Sequence, residues 1–159
     1  MKKGSIVFLR AVVVLIGIVA IAVMIRFPLT EGRAVNLDLF SIYADPFIIY
    51  GYLASIPFFI ALYQAFKLLG YIGENKAFSP NSVKALRIIK YCAITLSILI
   101  VVAVLYIMMF HAKDDDPAGF IAVDIVTTFA SIVVATAASV FEKIVHNNLD
   151  KKSENNLTV

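Results

Sequence analysis

One carboxylate in this 159-residue chain stands where water is scarce. Asp124 lies seven residues past Pro117, inside a long apolar run, and a helix rising 1.5 Å per residue carries it roughly 10 Å along that run. An ionisable group at such a depth costs about 2 to 3 kcal/mol unless it is paired or hydrated, which makes it a functional candidate. Its helical neighbours extend it: Asp124, Thr127, Thr128, Ser131, Ala135 and Ala138 follow i, i+3, i+4 spacing and share one face. Two chemistries fit such an intramembrane polar stripe. It could line a path for a transported species or proton. Alternatively, small residues let helices approach closely in lipid, with hydroxyls bonding across the contact. Asp124 would then pair with Arg26, the best-placed cation.

Two further sets have chemistry to weigh. Lys84, Arg87 and Lys90 recur every three residues, so they lie close to one helix face. They suit anionic inner-leaflet lipid headgroups, worth about 1 kcal/mol per charge near the surface, or the acidic face of a cytoplasmic partner. Nucleic acid is not expected, because typical binders make roughly six to ten phosphate contacts. His111 with Asp114, Asp115 and Asp116 offers ligand types for a divalent cation. All four sit in one short acidic turn with no further group to complete the shell, so no metal is assigned. The single cysteine, Cys92, falls in an apolar run and excludes an intrachain disulfide. There is no Gly-rich phosphate loop, H-E-x-x-H, G-x-S-x-G or C-x-x-C, so no enzyme, catalytic residue or cofactor is expected.

The elements that must position these residues are apolar to an unusual degree. The chain is 61% hydrophobic and 16% charged, with mean hydropathy +0.90, whereas soluble domains are about half apolar and a quarter charged. A bilayer core about 30 Å thick needs roughly 20 apolar residues in a helix. Pro46 to Phe66 supplies 21 without a charge, and Tyr91 to Phe110 supplies 20. Gly119 to Val145 carries charge only at Asp124, Glu142 and Lys143. Ala11 to Ile25 is closed by Arg10 and Arg26, whose stems can snorkel to the two interfaces. Arg10 also interrupts what would otherwise be the apolar region of a signal peptide, so this run reads as an uncleaved first helix. The expectation is a single all-α domain, an antiparallel four-helix transmembrane bundle with spans at about 5–26, 46–69, 88–110 and 118–143.

Basic residues give the bundle a side. With the N-terminus inside, eleven of the fourteen lysines and arginines fall on the cytoplasmic side, leaving Arg26, Arg33 and Lys113 outside. Both termini are therefore expected in the cytoplasm, along with the loop 70–87 and a tail 144–159 that frays into a polar end. Ser79-Pro80 reads as an N-cap followed by proline at the first helical position. The short 111–118 connection should close spans three and four into a hairpin, and the apolar residues of 27–45 should lie on the outer interface or over the bundle.

Two segments resemble a known family. The run Glu74-Asn75-Lys76-Ala77-Phe78-Ser79-Pro80-Asn81-Ser82-Val83-Lys84-Ala85-Leu86-Arg87-Ile88-Ile89-Lys90-Tyr91 and the ending Glu154-Asn155-Asn156-Leu157-Thr158-Val159 are similar to the bacterial membrane family called domain of unknown function 2975. The resemblance implies a bacterial cytoplasmic (inner) membrane protein, suggests a small helix-turn-helix regulator as its neighbour in many genomes, and supplies no catalytic residues; a cytoplasmic regulatory protein is the partner expected. The residues singled out for partner or lipid contact are Asn75, Phe78, Ser79, Lys84, Arg87, Lys90, Glu154, Asn155 and Leu157. The competing expectation is a small transporter or channel subunit that works as a homo-oligomer, since four helices enclose little internal space.

Overall fold

The computed structural model describes residues 3–30, 38–110 and 118–157. They form α1 (Lys3–Thr30), a short α2 (Leu39–Tyr43), α3 (Pro46–Gly73), α4 (Pro80–Phe110) and α5 (Ala118–Leu157). No strand occurs among the described residues. All but α2 are long and apolar enough to cross a membrane. Their large apolar side chains point outward as well as inward: Phe8 and Phe129 are each 68% exposed and Ile98 58%. Water would penalise that surface, whereas hydrocarbon does not.

The four long helices pack in chain order, α1 on α3, α3 on α4 and α4 on α5, with the α4–α5 seam the most extensive. Burial is uneven along the bundle. The end where α1 begins, α3 passes into α4 and α5 finishes is the basic end. There Val83, Leu86 and Val145 form a core against Leu68 and Leu149, with Ile6, Ala85 and Ile89 also buried. At the opposite end, Pro28 of α1, Ile42 of α2 and Ile48 of α3 are buried.

Local chemistry sets the helix ends. Asp45 caps α3 by accepting from the N–H groups of Phe47 at 2.7 Å and Ile48 at 3.4 Å, with Pro46 at the first helical position. At the far end of α3, Asn75 takes a left-handed conformation, φ 58°, which asparagine tolerates better than most residues. The turn lets the Lys76 N–H reach the Tyr71 carbonyl at 2.7 Å and the Asn75 N–H reach Ile72 at 3.2 Å, the pairing of a Schellman motif. Ser79 then caps α4, its Oγ accepting from the Ser82 N–H at 3.3 Å. Ser82 is fully buried and donates its hydroxyl to the Lys76 carbonyl at 3.1 Å. Lys76 also pairs with Glu74 at 2.9 Å, and that hydrogen bond holds the Glu74 carboxyl below its usual range. The connection between α3 and α4 is thus pinned at both ends and in its middle.

The helices outrun the spans expected from hydropathy. Helix α1 continues through Pro28 to Thr30. A proline inside a helix deprives the carbonyl four residues earlier of its donor, here Met24. The Tyr52 hydroxyl replaces it, donating to Met24 O at 3.0 Å, while Tyr43 donates to Ile25 O at 2.9 Å. Helix α5 does not fray after His146 but runs to Leu157. Val145 is buried and Leu149 half-buried, both packed on the start of α4, so the amphipathic pattern persists beyond the apolar run. The 111–117 connection lies outside the described residues, as does 31–37 of the first long loop.

Candidate functional site

One face of α5 organises the molecule. Ser131, Ala135, Ala138, Glu142 and Val145 are buried along it, with Asp124, Thr127, Thr128 and Leu149 half-buried. Eighteen residues separate Asp124 from Glu142, which is five turns of helix, so the two carboxylates lie on the same line about 27 Å apart. Their surroundings differ completely.

At the basic end, Glu142 Oε1 accepts from Arg87 Nε at 2.7 Å and Oε2 accepts from Lys90 Nζ at 2.7 Å. The Glu142 side chain is 11% exposed, Lys90 20% and Arg87 52%. Charge-assisted bonds of this length to both oxygens leave the carboxylate fully engaged. The three-residue basic stripe is accordingly divided: Arg87 and Lys90 fasten α4 to α5, and Lys84 remains exposed. Sequence reasoning missed Glu142 as the organiser. The available signal was an acidic residue in the apolar run, five turns from Asp124, on a helix expected to run antiparallel to two cations at i and i+3.

At the other end, Asp124 lines a cleft of about 250 Å³ into which all four long helices contribute. Its Oδ2 is buried and has no hydrogen-bond partner among the described residues. The ion pair expected with Arg26 does not form. Helix α1 packs on α3, and Arg26 is exposed and is not among the residues that line the cleft with Asp124. Nor do the stripe's hydroxyls bond across a helix contact. Ser131 donates to Thr127 O at 2.9 Å and Thr127 to Val123 O at 2.8 Å, each four residues back in α5 itself. The walls are apolar and aromatic, with Phe27, Phe47, Tyr50 and Tyr52 among them. Both tyrosines spend their hydroxyl hydrogens on backbone, Tyr50 on Leu99 O at 2.7 Å and Tyr52 on Met24 O.

The remaining sequence candidates fall around the basic end. Asn75 and Ser79 shape the α3–α4 connection as described, and Phe78 projects from it, 58% exposed. Glu154 is exposed on α5; Asn155 and Leu157 lie in its last turn. His146 Nδ1 and Asp150 Oδ2 lie 2.8 Å apart, one turn from each other on α5. His111 and Asp114 to Asp116 lie outside the described residues. Arg10 adds an unexpected contact: its guanidinium stacks over Phe66 at 4.7 Å and rests on Gly70, where a Cβ would collide with it.

Four membrane-length apolar helices, tied at one end by a buried ion-pair cluster, define a small multi-pass membrane protein. The chain belongs to the family described as protein of unknown function (DUF2975), which it matches over residues 5–159. It is 45% identical to the Bacillus subtilis protein named uncharacterized membrane protein YoaS, over 100% of both chains. No solved structure matches it.

Proposed function

We propose that the protein is a non-enzymatic component of the bacterial cytoplasmic membrane, with both ends inside the cell, whose α3–α4 connection and α5 tail dock a cytoplasmic regulatory protein. The basic residues support the orientation, eleven of fourteen falling on that side. The observation that carries the docking reading is the rigidity of the connection. A left-handed Asn75, an N-capping Ser79 and a buried Ser82 hold Phe78 in a fixed place, yet leave it 58% exposed. An aromatic already ordered costs little further entropy on binding. Beside it, α5 extends past the core as an ordered polar helix, with Lys151, Lys152 and Glu154 exposed. Lys84 and Lys143, exposed nearer the apolar spans, suit anionic headgroups.

Transport along the α5 stripe has less support, because Ser131, Ala135 and Ala138 are buried along the α4–α5 seam rather than lining a passage. Co-purification from native membranes in mild detergent tests the docking reading. A specific soluble companion should be retained by the intact chain and lost with Phe78→Ala or with deletion after Lys152. A companion indifferent to both changes would refute it, as would none at all. Substrate- or proton-dependent flux in proteoliposomes, abolished by Asp124→Asn, would favour the transporter instead.

A further inference from the structure

We infer that the cleft headed by Asp124 is a binding site for a small amphipathic organic cation, an ammonium centre carrying an apolar body. This goes beyond the docking surface, which lies at the other end of the bundle, and stands independently of it. Three observations converge. The cleft measures about 250 Å³, and a cavity of about 150 Å³ is room enough for a benzene ring. The space therefore suits a ring with a short charged arm, and is far too small for a whole phospholipid. Its walls are apolar and aromatic, with Phe27 and Phe47 among the lining residues, and aromatic surroundings favour organic cations. The polar inventory then fixes the sign of the occupant. The Tyr50 and Tyr52 hydroxyl hydrogens are committed to backbone carbonyls, whereas Asp124 Oδ2 is buried and has no partner among the described residues. A carboxylate in an apolar cleft recognises a cationic donor and rejects an anion, which would be desolvated beside a like charge.

Glycine at position 51 opens the site. It lines the cleft and nothing lies within 4 Å of where its Cβ would stand. A larger side chain there would enter the space without replacing the carboxylate.

The test uses the full chain in zwitterionic phosphatidylcholine nanodiscs, with phenethylammonium as probe and 3-phenylpropanol as its neutral counterpart. Equilibrium dialysis against empty nanodiscs should show saturable one-to-one binding of the cation, at least tenfold tighter than the alcohol. Asp124→Asn should weaken cation binding at least tenfold and abolish the preference over the alcohol. Gly51→Phe should weaken both probes, and because it retains the carboxylate it guards against misreading a folding defect in the first variant. Thermal melting accompanies each variant. Three results would overturn the inference: no saturable binding by the intact chain, equal affinity for cation and alcohol, or cation binding that appears only after Arg33→Ala or Lys113→Ala. The last would mean that the chain's own cation already occupies the carboxylate.

Discussion

The two ends of α5 carry the same chemical group on the same helix face, treated in opposite ways. Glu142 is buried, with both oxygens taken by cations from α4. Asp124, about five turns away, has a buried oxygen with no partner among the described residues. Burial tracks the difference: the core of Val83, Leu86 and Val145 lies at the end of the first, and a cleft adjoins the second. Within one helix, then, a satisfied charge marks where the bundle is tied and an unsatisfied one marks where it stands open. Buried charges are tolerated when fully bonded; one left short of a partner is where a ligand has something to gain.

That contrast can be broken by substitution, and the largest effect belongs to the tied end. Glu142→Gln leaves Lys90 largely buried beside a neutral amide. Stability should fall by about 3 kcal/mol or more, as for removal of one member of a buried pair. Melting in detergent reads the loss, and adding Lys90→Met should restore much of it. Gly70→Leu comes next. Its side chain displaces the Arg10 guanidinium from Phe66, and overpacking of this kind costs about 1–3 kcal/mol. Tyr52→Phe removes the donor that serves the Met24 carbonyl freed by Pro28, and should lower stability by about 1 kcal/mol. Ser79→Ala removes the α4 cap for about the same amount. Asp124→Asn should move the melting temperature least and in the other direction if at all, because its buried Oδ2 has no partner among the described residues and a buried charge is removed. A destabilisation there as large as that of Glu142→Gln would erase the distinction between the ends.

Much of the fold was legible because lipid demands continuous apolar helices, and runs such as Pro46 to Phe66 leave little choice. Turn chemistry was legible too: Ser79-Pro80 announces the start of α4, and the structure begins α4 at Pro80. What escaped was contact between helices. Hydropathy ends α5 near 143, since it averages over a window and cannot see that Val145 and Leu149 still face the start of α4. Helical spacing groups Lys84, Arg87 and Lys90, but which of them turns onto Glu142 depends on how α4 lies against α5. The same holds for Asp124. Its depth was readable from the run around it, whereas which α1 side chains reach its cleft, Met24 and Phe27 but not Arg26, depends on the rotation of α1 in the bundle. Part of the resembling segment also has a local explanation: Asn75, Ser79 and Ser82 build the turn, which leaves Phe78 exposed.

Helix α5 has one more consequence. From Phe120 to Leu157 it contains neither proline nor glycine, two of the common causes of a sharp kink. Glu142, clamped by two cations, lies between its two ends. A tilt of about 5° around that point swings Asp124 by roughly 2 Å, and Leu157 by about as much the opposite way. Any rotation of the helix about Glu142 would therefore move the cleft wall and the tail together, in opposite directions.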